Sequence, residues 1–352
     1  MIILNQNFEK IAVIDGYESL LWVDRYNEPG ELEIYTPMSD TVTEFYKVGY
    51  YIQLKESNHT MIIEDFSIES KIETGNHAKI RGRSLESILD RRIIWEQVNY
   101  SGNLQNAIQD ILNKAFISPS IADRTLSNFI FEASEDTNIT GLTIEAQYTG
   151  DNVLDVINKI CKDNEIGYSV TLNDSNQFVF KLYKGVDRSY KQESLPYVIF
   201  KPSFENIIKS NYSETNSTYK NVTLVAGEGE GASRVTRTVG GGSGLSRKEL
   251  YTDARDIQRE EGMSWDTYYS LLDTRGNENL KEYKVDKFFE GECETTKLFV
   301  YGRDFTMGDV VQVANEYGIE SPARIIEYIY SSDESGTLSY PTFEAMDYEN
   351  EE

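Results

Sequence analysis

"VGYYIQL" at residues 48–54 and "MGDVVQV" at residues 307–313 share one frame: a glycine, two residues, then an apolar-Gln-apolar triplet. After a turn each is followed by a second run, "MIIEDFSIE" at 61–69 and "RIIEYIYSS" at 324–332, in which Ile62-Ile63-Glu64 matches Ile325-Ile326-Glu327. Alternating apolar residues bounded by turn formers mark strands. Matching order and spacing predict a duplicated β-domain, with Gly49 and Gly308 opening equivalent strands and Gln53 and Gln312 set between apolar neighbours.

Outward from the first copy, Lys10 to Ile80 reads as a meander of hairpins. "ESLLWVDRYNEPGELEIYTP" turns around Asn27-Glu28-Pro29-Gly30, with Leu32 and Ile34 alternating against Glu31 and Glu33. Two further turns are predicted, near Ser57-Asn58 and at Thr74-Gly75-Asn76. That is enough strand to close a small barrel. At its end "KIRGRSLESILDRRII" (79–94) sets five basic side chains into a chain of formal net charge −25. Each has a local use: Arg81 and Arg83 alternate about Gly82 in a strand, Ser84 suits an N-cap, Glu86 faces the positive end of a helix dipole, and Arg91 and Arg92 face the negative end. The stretch therefore reads as a strand becoming a helix, not as an anion site.

Between 101 and 165 the period changes. Leu104, Ala107, Ile108, Ile111, Leu112 and Ala115 predict one amphipathic helix, and Val153, Val156, Ile157, Ile160 and Cys161 a second. "IGYSVTLNDSNQFVFKLYKG" then predicts a hairpin turning at Asn173-Asp174. "NVTLVAGEGEGASRVTRTVGGGSG" places seven glycines between Gly227 and Gly244 and reads as a mobile arm, 226–246, ordered by a neighbour. "LSRKELYTDARDIQREEG" and "SWDTYYSLLDTRGNENLKEYK" read as helices, and strands resume from about 284 to the acidic tail "MDYENEE". The fold class is α+β. The expected domains are a first β-barrel at 1–98, a helical insertion at 99–149, a small α+β domain at 150–205, and a second β-barrel from 206–225 and 284–345, with the glycine-rich arm and helices of 226–283 inserted in it.

Chemistry is harder to find. His59 and His77 are the two histidines, each in or beside a predicted turn, so a His-based nucleophile pair has little support. Cys161 and Cys293 have no metal spacing and read as buried, reduced thiols. "GEGEG" at 227–231 has no helix N-terminus after it and carries two acids that repel phosphate, and pairs such as Asp253 and Asp256 are inevitable among 59 carboxylates. No catalytic, metal or cofactor residue is assigned, and the binding residues stay open. With 34 basic against 59 acidic residues, phosphate-driven nucleic-acid binding is disfavoured. The apolar runs are far too short to span a bilayer, and no signal peptide opens the chain, which is expected to begin at Met1.

Several pieces together resemble one family: "GYYIQL", "RGRSLESILDRRII", "YTGDNVLDVINKICKDNEIGYSV", "KLYKGVDRS", "YKNVTLVAGEGEG", "YGRDFTMGDVVQV" and "RIIEYIYSSDESGTLSYPTF". In order and coverage they look like the siphovirus-type tail or baseplate hub proteins of phages and phage-tail-like particles, contractile injection systems and prophage tails among them. The resemblance implies a structural, non-enzymatic protein of two tube-protein-like β-barrels per chain. It implies a homotrimer that offers a pseudo-sixfold ring to the tail tube or distal tail ring and holds the central spike or tip. Its place would be the virion tail, assembled in the bacterial cytoplasm, with DNA passing an acidic lumen without specific binding. A C-terminal cell-wall-digesting extension has no expected room after Phe343. A cell-wall hydrolase and a carbohydrate-binding adhesin are the alternatives.

Overall fold

The structure is a computed structural model and describes residues 1–346 apart from Thr74, Glu294 and Thr296; the acidic tail from 347 and the tip of the turn at Thr74 lie outside the described residues. The first module comprises β1 (Ile2–Leu4), β2 (Lys10–Val13), β3 (Ser19–Arg25), β4 (Glu31–Pro37), helix α1 (Asp40–Phe45), β5 (Tyr51–Gln53), β6 (Thr60–Lys71) and β7 (Gly75–Ser84). Strand alternation brings Leu20, Trp22, Leu32, Ile34 and Ile80 to one face, where Val42 and Tyr46 at α1 cover them. Ser39 caps α1 by accepting the Val42 amide at 3.3 Å. The three predicted hairpins are those observed.

The turn that follows, Leu85–Arg91, is a 3-10 helix, and two of its expected devices work differently. The Ser84 hydroxyl accepts the Gly30 amide at 2.6 Å instead of capping, and Glu86 is only 1% exposed, facing the interior rather than the helix end. Four of the five bases have local partners: Lys79 and Arg81 pair with Glu33 at 2.8 and 3.0 Å, Arg83 with Glu64 at 2.7 Å and Asp90 at 3.1 Å, and Arg92 donates to the Arg91 carbonyl at 2.9 Å.

The insertion runs β8 (Val98–Asn103), α2 (Leu104–Leu112), a π-helical turn Asn113–Ile117, β9 (Phe129–Glu132), α3 (Thr137–Thr140), β10 (Thr143–Tyr148), α4 (Val153–Asp163), β11 (Gly167–Leu172) and β12 (Phe178–Tyr183). The predicted apolar stripes of α2 and α4 join one core that also takes Phe129, Tyr168 and Phe180, so residues on both sides of position 150 share a single interior. Asn103 and Asn152 cap the two helices.

β13 (Ile199–Phe200) and β14 (Ile207–Thr215) lead to a three-stranded sheet of β15 (Val222–Ala226), β16 (Thr236–Gly240) and β17 (Glu249–Asp253), roofed by α5 (Trp265–Glu282) through Val225, Val239, Tyr268 and Leu272. The glycine-rich stretch thus contributes a packed hairpin. The helix expected over 245–262 is a correction: Glu249–Asp253 is a strand, parallel to β15. Asn221 holds it there, its side chain accepting the Lys248 amide at 2.9 Å and donating to the Ser246 carbonyl at 2.7 Å. β18 (Asp286–Cys293), β19 (Val310–Ala314), β20 (Glu320–Asp333) and β21 (Gly336–Ala345) complete the chain. The two modules belong to one 13-stranded mixed sheet in the order β14-β18-β21-β20-β3-β4-β7-β6-β5-β1-β2, with β19 also beside β20 and β13 beside β19. Cys161 and Cys293 are free and buried.

Candidate assembly interface

Gly49 and Gly308 have φ of +85° and +86°, a region costly for any residue with a Cβ. Each amide donates to the long strand beside it, Gly49 to the Ile63 carbonyl at 2.8 Å and Gly308 to the Ile325 carbonyl at 2.9 Å. The return bonds also match, from the Ile63 amide to Tyr50 at 2.8 Å and from the Ile325 amide to Asp309 at 2.9 Å. One residue further the long strands bulge, β6 between Ile63 and Asp65 and β20 between Ile325 and Glu327. Ile63 therefore corresponds to Ile325, and Glu64 to Ile326. The predicted match of Ile62-Ile63-Glu64 with Ile325-Ile326-Glu327 was one residue out, because letter identity put Glu64 of one bulge against the residue after the other.

From these frames the same order extends. The first module sets β3-β4-β7-β6-β5 side by side, and the second sets β14-β18-β21-β20-β19, antiparallel at every step. The likeness ends at the flank, where β1 meets β5 antiparallel but β13 meets β19 parallel. Beyond its bulge, β20 turns its free side to β3, pairing Glu327–Ser332 with Arg25–Leu20. Arg25 spans the joint, bonding Glu327 at 2.8 Å and Glu31 at 3.2 Å. The corresponding half of β6, from Asp65 on, has no strand on that side among the described residues, and neither has the outer side of β14.

A buried junction sets the angle of this joint. Tyr26, just past β3, is fully buried; it donates to the Glu165 carbonyl at 3.1 Å and lies under the Arg324 guanidinium. Burial pushes its phenol up to about 12. Arg324, itself 5% exposed, donates to the Gly308 carbonyl at 2.9 Å and to Glu165 at 2.8 Å. Asp309 accepts from the Val186 amide at 2.8 Å, the Thr306 amide at 2.9 Å and Arg188 at 2.9 Å. The segments Gly185-Val186-Asp187-Arg188 and Gly308-Asp309-Val310-Val311, distant in sequence, are thus two halves of one contact, and a Cβ on Gly185 would stand 2.0 Å from the Gly308 carbonyl carbon. Sequence reasoning singled out both segments but not their meeting, nor Tyr26, which no motif marks.

A second buried charge set ties the insertion to the first module. His59 Nδ1 lies 3.1 Å from Glu86, whose carboxylate also accepts the Val170 amide at 2.7 Å. Burial opposes both charges, yet Glu86 and Asp24 push His59 up to about 9, and His59 holds Glu86 below the usual carboxylate range. Asp24 is satisfied by Ser57 at 2.7 Å and the Trp22 indole at 2.9 Å. Among the described residues no group of three or more His, Cys, Asp or Glu could hold a metal ion, and no helix is long and apolar enough to cross a membrane.

Comparison with known proteins accords with this architecture. The family model of the siphovirus ReqiPepy6 Gp37-like protein matches residues 1–343. Among solved structures, the chain is similar to the prophage tail protein gp18 of Listeria monocytogenes EGD-e, with 13% identity, TM-score 0.56 and coverage of 99% of this chain and 95% of that one. It is similar to the tail protein of Neisseria meningitidis MC58, with 11% identity, TM-score 0.58 and coverage of 97% and 95%. It is also similar to the 43 kDa tail protein of prophage MuSo2 from Shewanella oneidensis, with 11% identity, TM-score 0.59 and coverage of 94% and 95%. No curated protein matches. With its duplicated β modules, its joint at β20 and β3 and a family match along nearly its whole length, the chain belongs to the siphovirus ReqiPepy6 Gp37-like family and shares the fold of prophage tail proteins.

Proposed function

We propose that the chain is a structural hub of a phage tail or phage-tail-like particle, in which three copies form a ring that seats on the sixfold tail tube, or its distal ring, and holds the central spike or tip. The observation that carries this is the repeat itself: two modules with one glycine frame, one bulge and one strand order in a single chain. A threefold object docks on a sixfold one when each subunit offers two look-alike faces. Light scattering of the purified chain should give about three times its 40.3 kDa, and the species should bind a tube-protein hexamer. A monomer that binds glycans would instead establish the adhesin reading. Peptidoglycan should survive incubation with the protein; turnover lost on replacing one carboxylate would establish the hydrolase.

The acidic balance has a narrower role in this reading than the sequence suggested. One face of the joined sheet carries Arg25, Lys79, Arg81 and Arg83 paired with Glu31, Glu33, Glu64, Asp65, Asp90 and Glu327. If that face lines the ring, passing DNA meets mostly paired charge with a slight acid excess, much weaker than the formal charge of the whole chain suggests.

A further inference from the structure

The modules are joined once inside the chain, and the repeat says how they join between chains. Backbone pairing runs in a row from Ile63 through Gly82 and Leu32 to Trp22, and in a second row from Ile325 through Phe343 and Phe289 to Tyr212. Tyr212 of β14 thus stands where Trp22 of β3 stands, as Ile63 stands where Ile325 does. Within the chain, Ile329 lies opposite Val23 and Tyr330 opposite Trp22. We infer that the open half of β6 pairs antiparallel with β14 of a second copy in the corresponding register: Ser67 opposite Ser213, and Ile68 opposite Tyr212. This deepens the ring reading and rests on it.

Independent features of the two edges fit this occupant. The open half of β6 carries Ile68, 53% exposed, and Ile72 just past its end is 107% exposed; an uncovered strand edge with exposed apolar residues invites pairing with another chain. Tyr330, the counterpart of Ile68, is half-buried and packs on the first module's core across the internal joint. Tyr212 packs on the second module's core at the edge where Ile68 would arrive. Within one chain the two edges do not pair: β14 and β6 are the first and last of eight successive strands, and neither the outer side of β14 nor the open half of β6 has a strand beside it among the described residues. Each copy therefore offers one edge of each kind, and copies joined head to tail make a closed ring or an open string.

Paired cysteines test the register. Directly opposed residues on antiparallel strands have Cβ atoms about 4.5–5.5 Å apart, close to disulfide reach. The S67C/S213C variant of the full chain, mildly oxidised, should give covalent trimers on a non-reducing gel. S67C/N211C, two residues out of register, should cross-link at least about tenfold less. Light scattering of the same samples separates the outcomes. Trimers without the S67C/S213C bond, or with equal bonding in both variants, would overturn the seam while leaving the ring. A chain that stays monomeric removes the ring and the seam together.

Discussion

A methyl group at position 308 has nowhere to go, since its carbon would lie 2.2 Å from the Tyr26 ring while the backbone holds φ at +86°. At position 49 the nearest atom is the flexible amide of Gln6, 3.0 Å away, at nearly the same φ. Gly308→Ala should therefore cost about 2–4 kcal/mol, from overpacking as well as backbone strain, and Gly49→Ala about 1–2 kcal/mol. Calorimetric melting of the two variants checks the order. The charge pair at His59 gives a pH test. Its folded value lies above the ordinary one, so its stabilisation, on the order of 3 kcal/mol, is full below about pH 6.5 and is lost as pH rises through about 9. Glu86, lowered on folding, adds stability that fades as pH falls below the ordinary carboxylate range. Melting temperature should decline from pH 6 to pH 9, and the decline should flatten in His59→Gln/Glu86→Gln; an unchanged slope would discredit the pair. At this scale the sequence revealed the glycines, because a recurring Gly before a strand is a local signal. Tyr26 and the Glu86 to His59 contact were illegible, because their partners come from segments that only folding brings together.

Elements were legible where one periodic face decided them. The stripes of α2 and α4 declared two helices and their shared apolar side, and Ile157 of α4 sits fully buried in the common core. Ile157→Ala should cost about 2–5 kcal/mol, and because this core includes residues of α2, α4, β9, β11 and β12, these elements should melt in one transition, followed by circular dichroism and by amide hydrogen exchange in α2 and α4 alike. Separate transitions on the two sides of position 150 would contradict a common interior. The misread element is β17. Its charged residues mimic an exposed helix, and its strand character comes from Asn221 and the parallel neighbour β15, which lie earlier in the chain. The bulges escaped for a different reason: an extra residue in a ladder changes pairing without changing composition.

For the whole molecule, composition spoke to solubility more than to form. Copies of formal charge −25 repel one another, whereas the inferred seam is made of backbone bonds and apolar contact. Association at a fixed dilute concentration should therefore strengthen as salt rises from about 0.01 M to 0.15 M, shortening the screening length from roughly 30 Å to 8 Å. Sedimentation across that range checks it; dissociation on adding salt would mean that ion pairs hold the copies. The internal joint between β20 and β3 has a kinetic side as well. In the proposed ring, half of the six contacts are made as each chain folds, at an effective concentration no free encounter reaches, so only two bimolecular meetings and one ring closure remain to be made. In the proposed ring, fusion also frees the two halves to drift apart in sequence without mixing partners, so that one end of the object would imitate six equal units while the other keeps three.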